Sequence, residues 1–433
     1  MADGKVMNRW LVVIGAVLIQ LCLGAIYAWS VFTPPLKAAG WTNAQTQMVF
    51  SAGLALFAIV MVAAGRMMPK VGPRKLAISG GLVLGLGYIL GGLLGGTDFW
   101  SIFFLVGVIG GSGIGLGYVV PIAVGMRWFP DKKGLITGLA VAGFGFGSLL
   151  WVKLASNWAE LISRFGLNNT FVIYGAVFLV VVVIGGMFMV FPPEGWKPEG
   201  WNPAPASAGN VLAGSVDYRS GEMLRTPQFY MIFLTFVCGA GAGLMSIGLM
   251  KLFPMANLQA HGYDAATASV IASTAMGIFF SLANGLGRIL WGAISDKLGR
   301  KPSLVIMTAI QGVTVIAFQW MSGYPYLLYL GATLIGFNFG GNFALFPTIT
   351  ADTFGTKHVG QNYGWVFLAY GIGGIGGPIL GGWLGDMQNF PLAFTICGTL
   401  CLAAAVMISL VKPPRNAKPP IRQPLKRSLH PYV

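Results

Sequence analysis

The chain has 433 residues, 55% of them hydrophobic and only 9% charged, with a mean hydropathy of +0.74. Soluble globular proteins carry about 25% charged residues, so this composition excludes a soluble enzyme or binding module and predicts an all-α membrane protein. A formal charge of +15 would suit nucleic acid, but the basic residues fall in every second connection between apolar runs. That is an orientation signal, and no nucleic-acid partner is expected.

Apolar runs long enough to cross a bilayer stand at about 10–32, 45–68, 76–96, 100–126, 135–158, 170–191, 228–253, 265–294, 303–322, 325–351, 360–385 and 391–411. The first run is long enough to span and lacks a small-residue cleavage site, so it is expected to stay attached. Twelve spans place both ends on one side. The N-terminus, the even-numbered connections and the C-terminal tail hold 22 Lys and Arg; the odd-numbered connections hold Lys37, Lys153, Arg164 and Lys251, and Arg288 completes the total of 27. Both termini are therefore expected in the cytoplasm, with the protein in a cell's inner membrane.

The longest connection, Phe191 to Pro227, divides the chain into a first six-helix half (1–191), a central loop (192–227), a second six-helix half (228–411) and a basic, Pro-rich tail (412–433) that is expected to be solvated. Within the central loop, S-G-E-M-L-R-T-P-Q-F-Y is expected to form a short surface helix leading into span seven. The halves repeat weakly: Gly65 to Lys75 (G-R-M-M-P-K-V-G-P-R-K) follows span two as Gly292 to Lys301 follows span eight. Parallel repeats with a binding site between them are a transporter pattern.

Span eight carries the sharpest signal. Arg288 is a lone cation inside an apolar run, about 12 Å deeper than Asp296 at ~1.5 Å rise per residue. Charge at that depth costs at least ~2.5–3.5 kcal/mol on insertion scales, so Arg288 must face a partner or a polar cavity. No Asp or Glu lies at comparable depth in any span. A guanidinium fork for a small carboxylate is the simplest use. Asn284, one turn before it, shares its helix face. Tyr27, Tyr118 and Tyr370 sit in mid-span, where a phenol needs a partner, and Asn338 and Asn342 either bind substrate or brace helices. At the end of span eight, Gly292, Asp296, Lys297, Gly299, Arg300 and Lys301 form a charged hairpin. Asp296 is placed there to cap a neighbouring helix N-terminus and to pair with Arg.

Other groups are read more plainly. The cysteines Cys22, Cys238, Cys397 and Cys401 all lie in apolar runs and are expected as small hydrophobes. No metal-ligand cluster, Ser–His–Asp set or paired carboxylate appears; no metal site, cofactor or enzymatic chemistry is expected. The runs G-S-G-I-G-L-G and G-I-G-G-I-G-G lack the strand–turn–helix context of a dinucleotide site and read as close helix packing. His261 reads as a solvated loop residue.

Twelve spans plus G-x-x-x-D-K-x-G-R-K resemble the major facilitator superfamily. Within it, R-W-F-P-D-K-K-G (Arg127 to Gly134), S-G-E-M-L-R-T-P-Q-F (Ser220 to Phe229), A-L-F-P-T (Ala344 to Thr348) and N-Y-G (Asn362 to Gly364) resemble the oxalate/formate antiporter family. The resemblance implies two six-helix halves, alternating access, a monomer, and a carboxylate held by the Arg matching Arg288. It also implies that Tyr27, Tyr118, Phe144, Phe339 and Phe343 line the site, the phenylalanines replacing polar aromatics. Ile26 stands where the oxalate carrier has Gln, and Tyr370 where it has a second essential cation. One Arg suits one carboxylate. The chain therefore looks like a monocarboxylate (lactate or pyruvate) branch related to the animal monocarboxylate transporters, for which proton coupling is expected. Asn284 replaces the Asp associated there with coupling and cannot carry a proton. The rivals are oxalate/formate exchange, a carboxylate sensor in the membrane, and a channel. The central loop is small for a signalling domain, and channel pore motifs are missing.

Overall fold

The computed structural model describes residues 7–41, 43–200, 217–250, 252–387, 389–412 and 414. The later part of the central loop and nearly all of the basic tail lie outside the described residues. Twelve helices are labelled in chain order: α1 Arg9–Trp29, α2 Met48–Val71, α3 Pro73–Gly95, α4 Phe99–Trp128, α5 Lys133–Trp151, α6 Leu161–Met187, α7 Pro227–Ile247, α8 Ala265–Leu298, α9 Arg300–Met321, α10 Pro325–Phe354, α11 Val359–Gly385 and α12 Phe390–Ser409. All but α10 are long and apolar enough to cross a membrane by length and composition. Every residue of α10 from Asn338 to Phe354 is buried. That stretch meets protein on all sides, so it carries Asn338, Asn342, Thr348, Thr350, Asp352 and Thr353 without showing them to lipid.

Local chemistry sets the helix borders. Thr226 caps α7, accepting a hydrogen bond from the Phe229 N–H at 3.3 Å, with Pro227 at the first helical position. Before it, Ser220–Met223 forms the expected short helix. Gly72 (φ 86°) and Gly299 (φ 94°) turn the chain from α2 into α3 and from α8 into α9, in a backbone region that side chains rarely adopt. The two repeat copies thus keep the same turn. Helix α6 departs from the expected 170–191. It starts at Leu161, because Gly166 (φ 77°) joins a short extra turn, Leu161 to Phe165, to the main helix, and it stops at Met187. Helix α1 tightens into a 3-10 turn over Gly24–Val31.

Packing follows one pattern twice. Helix α1 packs on α5, α2 on α4 and α3 on α6; the last six helices repeat this as α7 on α11, α8 on α10 and α9 on α12. Between the two sets, α5 meets α8 and α2 meets α11, and these two pairs are equivalent under the same repeat. Glycines bring the backbones together. A Cβ on Gly134 would stand 2.2 Å from the Gly292 carbonyl oxygen, and one on Gly65 would stand 2.1 Å from that of Gly360. Both crossings lie at the face where α2 ends and α11 begins, called the terminal face below. Farther along the same pairs, a Cβ on Gly145 would stand 3.2 Å from Gly285 and one on Gly371 3.5 Å from Ala58. The two sets of helices meet closely from the terminal face up to Gly138, whose Cβ would stand 2.2 Å from the Arg288 carbonyl oxygen.

Candidate functional site

Helix α8 delivers Arg288 to the crossing with α5, where a Cβ on Gly138 would stand 2.2 Å from its carbonyl oxygen. The π-helical turn Ala275–Phe280 resets the phase of the helix just before Asn284 and Arg288. The Arg288 side chain is wholly buried (0% exposed). Its Nε donates to Asn284 Oδ1 at 3.2 Å and its Nη1 to the Val141 carbonyl of α5 at 3.0 Å. Its Nη2 is buried with no hydrogen-bond partner. None of the ion pairs among the described residues includes it. The guanidinium lies 4.1 Å from the Phe343 ring centroid and 5.7 Å from that of Phe144. A desolvated cation gains up to about 2 kcal/mol from such a ring face, well short of the several kcal/mol that desolvating an ion costs. Among the described residues, no carboxylate balances this charge.

The aromatic residues come together from both sets of helices. Tyr27 of α1 and Tyr370 of α11 are hydrogen-bonded hydroxyl to hydroxyl. Phe144 stands edge-on to both Tyr27 (5.2 Å between centroids) and Tyr118 (5.4 Å). Phe343 is edge-on to Tyr370 at 5.4 Å and to Phe339 at 5.4 Å. Phe339 packs on Phe343, the ring that lies beside the Arg288 guanidinium. The Tyr118 hydroxyl is buried and unpartnered. Ile26 is buried and lines a small apolar space with Trp29 and Gly53. Asn338 accepts from the Trp291 indole at 3.2 Å and donates to the Leu334 carbonyl at 2.9 Å, which makes it a brace. Asn342 donates to the Phe339 carbonyl at 3.1 Å.

Several residues of this cluster escaped the sequence reading. Phe57 of α2 and Phe367 of α11 lie 5.0 Å apart and flank Tyr118 at 4.9 and 5.3 Å. Gln20 is fully buried and donates to the Tyr118 carbonyl at 3.1 Å, with its Oε1 unpartnered. Tyr363 is fully buried with a free hydroxyl. It stands seven residues before Tyr370, on the same helix face; that spacing was the signal available.

The charged hairpin builds a second polar centre at the terminal face. Asp296 accepts from the backbone N–H groups of Gly134 and Leu135, both at 2.8 Å, at the start of α5. A carboxylate there meets unpaired amides and the positive end of the helix dipole. Arg300 pairs with Asp296 at 2.7 Å and with Asp352 of α10 at 3.0 Å, and Lys133 reaches Asp352 at 3.0 Å. Lys301 donates to the Val411 carbonyl at 3.0 Å. Lys297 is exposed. His261 is also exposed, its ring against Tyr324.

Comparison with known proteins agrees with this architecture. The profile of the Major Facilitator Superfamily matches residues 10–280 and 252–431. The chain is 30% identical to the uncharacterized MFS-type transporter YhjX of Escherichia coli K12, over 85% of this chain and 86% of that one. It is 27% identical to the oxalate:formate antiporter of Oxalobacter formigenes, over 95% and 93%, and 25% identical to monocarboxylate transporter 14 of Mus musculus, over 85% and 82%. Among solved structures, the E. coli fucose:proton symporter FucP superposes with a TM-score of 0.65 at 15% identity, covering 93% of this chain and 98% of that one, a likeness of fold.

Proposed function

The chain belongs to the Major Facilitator Superfamily, and from that premise we propose that this transporter carries small monocarboxylates such as lactate or pyruvate, coupled to protons. The observation that carries the proposal is Arg288: a fully buried cation with one donor unpartnered and, among the described residues, no carboxylate paired with it. A ligand carboxylate supplies the missing charge and acceptor together. The relatives named as an oxalate:formate antiporter and a monocarboxylate transporter support a carboxylate cargo. Two further features favour one carboxyl group over two. Tyr370, hydrogen-bonded to Tyr27, occupies the place where a second cation would neutralise a dianion. Phe144, Phe339 and Phe343 offer apolar surface to a methyl-bearing tail.

In the proposed cycle, residues 1–191 and 228–411 rock as two units about the site. The terminal face is cytoplasmic, and the protein is a monomer in a cell's inner membrane. The close α5–α8 and α2–α11 crossings correspond to an outward-facing or occluded state, held by Asp296 on the start of α5 and by Arg300 between two carboxylates. Entry of a carboxylate with a proton leaves no net charge to move. That avoids about 2.3 kcal/mol per 100 mV of opposing potential.

The test uses purified protein in liposomes with a pH-sensitive dye inside and no trapped counter-anion. Added lactate or pyruvate is expected to acidify the lumen, with no such signal from Arg288→Ala or from protein-free liposomes. Uptake that requires preloaded formate or oxalate, without acidification, would replace this reading with carboxylate exchange.

A further inference from the structure

Four tyrosines belong to the aromatic cluster that includes the rings beside Arg288, and they fall into two kinds. Tyr27 and Tyr370 bond each other across the two sets of helices. Tyr118 on α4 and Tyr363 on α11 bond nothing: both hydroxyls are buried and unpartnered, as is Arg288 Nη2. The two free phenols come from opposite sets of helices and flank one ring, Phe367, at centroid distances of 5.3 and 5.7 Å. Tyr363 precedes Gly364, on which a Cβ would stand 3.1 Å from the Met61 carbonyl oxygen. That contact is the repeat counterpart of the one between Gly138 and the Arg288 carbonyl at 2.2 Å, so Tyr363 lies at the level of Arg288. Its neighbour in sequence, Asn362, is fully engaged: its Nδ2 donates to the Tyr218 carbonyl at 2.9 Å and its Oδ1 accepts from Ser220 at 3.0 Å. Phenylalanine would fill the Tyr363 space and leave no buried hydroxyl unmatched. The hydroxyl therefore has a use that the empty protein does not display.

Arg288 Nη2 donates only, and the two phenols are free to donate alongside it. An ionised carboxylate offers about four lone-pair directions and no proton of its own; an ester or a protonated acid does not match such a set as well. We infer that Tyr363 is a substrate-contacting residue, completing with Tyr118 and Arg288 the seat of an ionised carboxylate. This rests on the monocarboxylate reading above and adds a residue to it. It also divides the work among the tyrosines. Tyr27 and Tyr370 join the two sets of helices above the seat. Tyr363, two turns closer to the terminal face on the same helix, holds the anion on the side from which it leaves when that face opens.

The test compares full-length wild type with Tyr363→Phe and Tyr118→Phe in detergent, titrating lactate and, separately, methyl lactate while following both affinity and the ligand-free melting temperature. Each variant is expected to bind lactate about tenfold or more weakly, the effect of losing one hydrogen bond to a charged group. Each should melt no lower than wild type without ligand, since no bond of the empty protein is lost, and methyl lactate should bind none of the three proteins. Wild-type lactate affinity in Tyr363→Phe would overturn the role given to Tyr363 and leave the monocarboxylate reading standing. A lowered ligand-free melting temperature would overturn it too, by revealing a structural partner. Tight binding of methyl lactate would overturn the ionised seat. If wild type itself binds neither lactate nor pyruvate, the monocarboxylate reading fails, and the inference with it.

Discussion

Two buried arginines stand twelve residues apart, and their surroundings are opposites. Arg300 (8% exposed) lies between Asp296 at 2.7 Å and Asp352 at 3.0 Å. Arg288 (0% exposed) lies among Phe343, Phe144, Asn284 and a backbone carbonyl, with one nitrogen unmatched. Both are cations in places where an isolated charge is costly. The protein answers that cost at Arg300 with its own carboxylates and leaves it open at Arg288. A charge satisfied from within holds structure together; the proposed function gives the other charge a ligand to meet.

Breaking the satisfied arginine should have the largest effect on stability. Arg300→Ala leaves Asp352 buried with Lys133 alone, and breaking a buried pair costs ~3–5 kcal/mol. A clear fall in melting temperature is expected, measurable in detergent without ligand. Arg288→Ala should behave in the opposite sense. It removes a buried charge that has no counter-charge, so the melting temperature should hold or rise, while lactate binding falls by about 100-fold or more, two charged hydrogen bonds at ~1.5–3 kcal/mol each being lost. A loss of stability equal to that of Arg300→Ala would erase the distinction between the two residues.

Sharpening the comparison means changing how many charges the site asks for. Tyr370→Lys places a second cation within the site. Oxalate affinity is expected to rise about tenfold, with lactate affinity unchanged or lower, as read by competition binding. No gain for oxalate would show that cation count is not what selects the cargo. The smallest effect is expected for Tyr27→Phe, which deletes the hydroxyl bond to Tyr370 at about 0.5–1.5 kcal/mol. It should speed opening of the side away from the terminal face, seen as faster labelling of a cysteine introduced near Tyr27.

The sequence carried the fold further than the site. Apolar runs located twelve helices because lipid allows little else, and Arg288 stood out because charge at depth is rare. Asp296 could be placed on a helix start because its motif is local. Its partner network could not: Asp352 joins Arg300 and Lys133 from α10, some 52 and 219 residues away in the chain, and no local pattern announces such a contact. Tyr363 and Gln20 went unread for a related reason, since a polar residue in a span reads alike whether its partner is present or missing. The start of α6 was displaced because Gly166, at φ 77°, joins a short extra turn, Leu161 to Phe165, to the main helix.

The most direct test of the account is ligand-induced thermal stabilisation of wild type, Arg288→Lys and Arg288→Ala by a lactate series. A ligand that binds only the folded state raises stability by RT ln(1 + [L]/Kd), so the three curves report affinity directly. A lactate-dependent rise is expected for wild type and none for either variant, because Lys keeps the charge but cannot present the guanidinium fork. Wild-type stabilisation of Arg288→Lys would contradict carboxylate recognition by that fork, and wild-type stabilisation of Arg288→Ala would remove Arg288 from the site altogether.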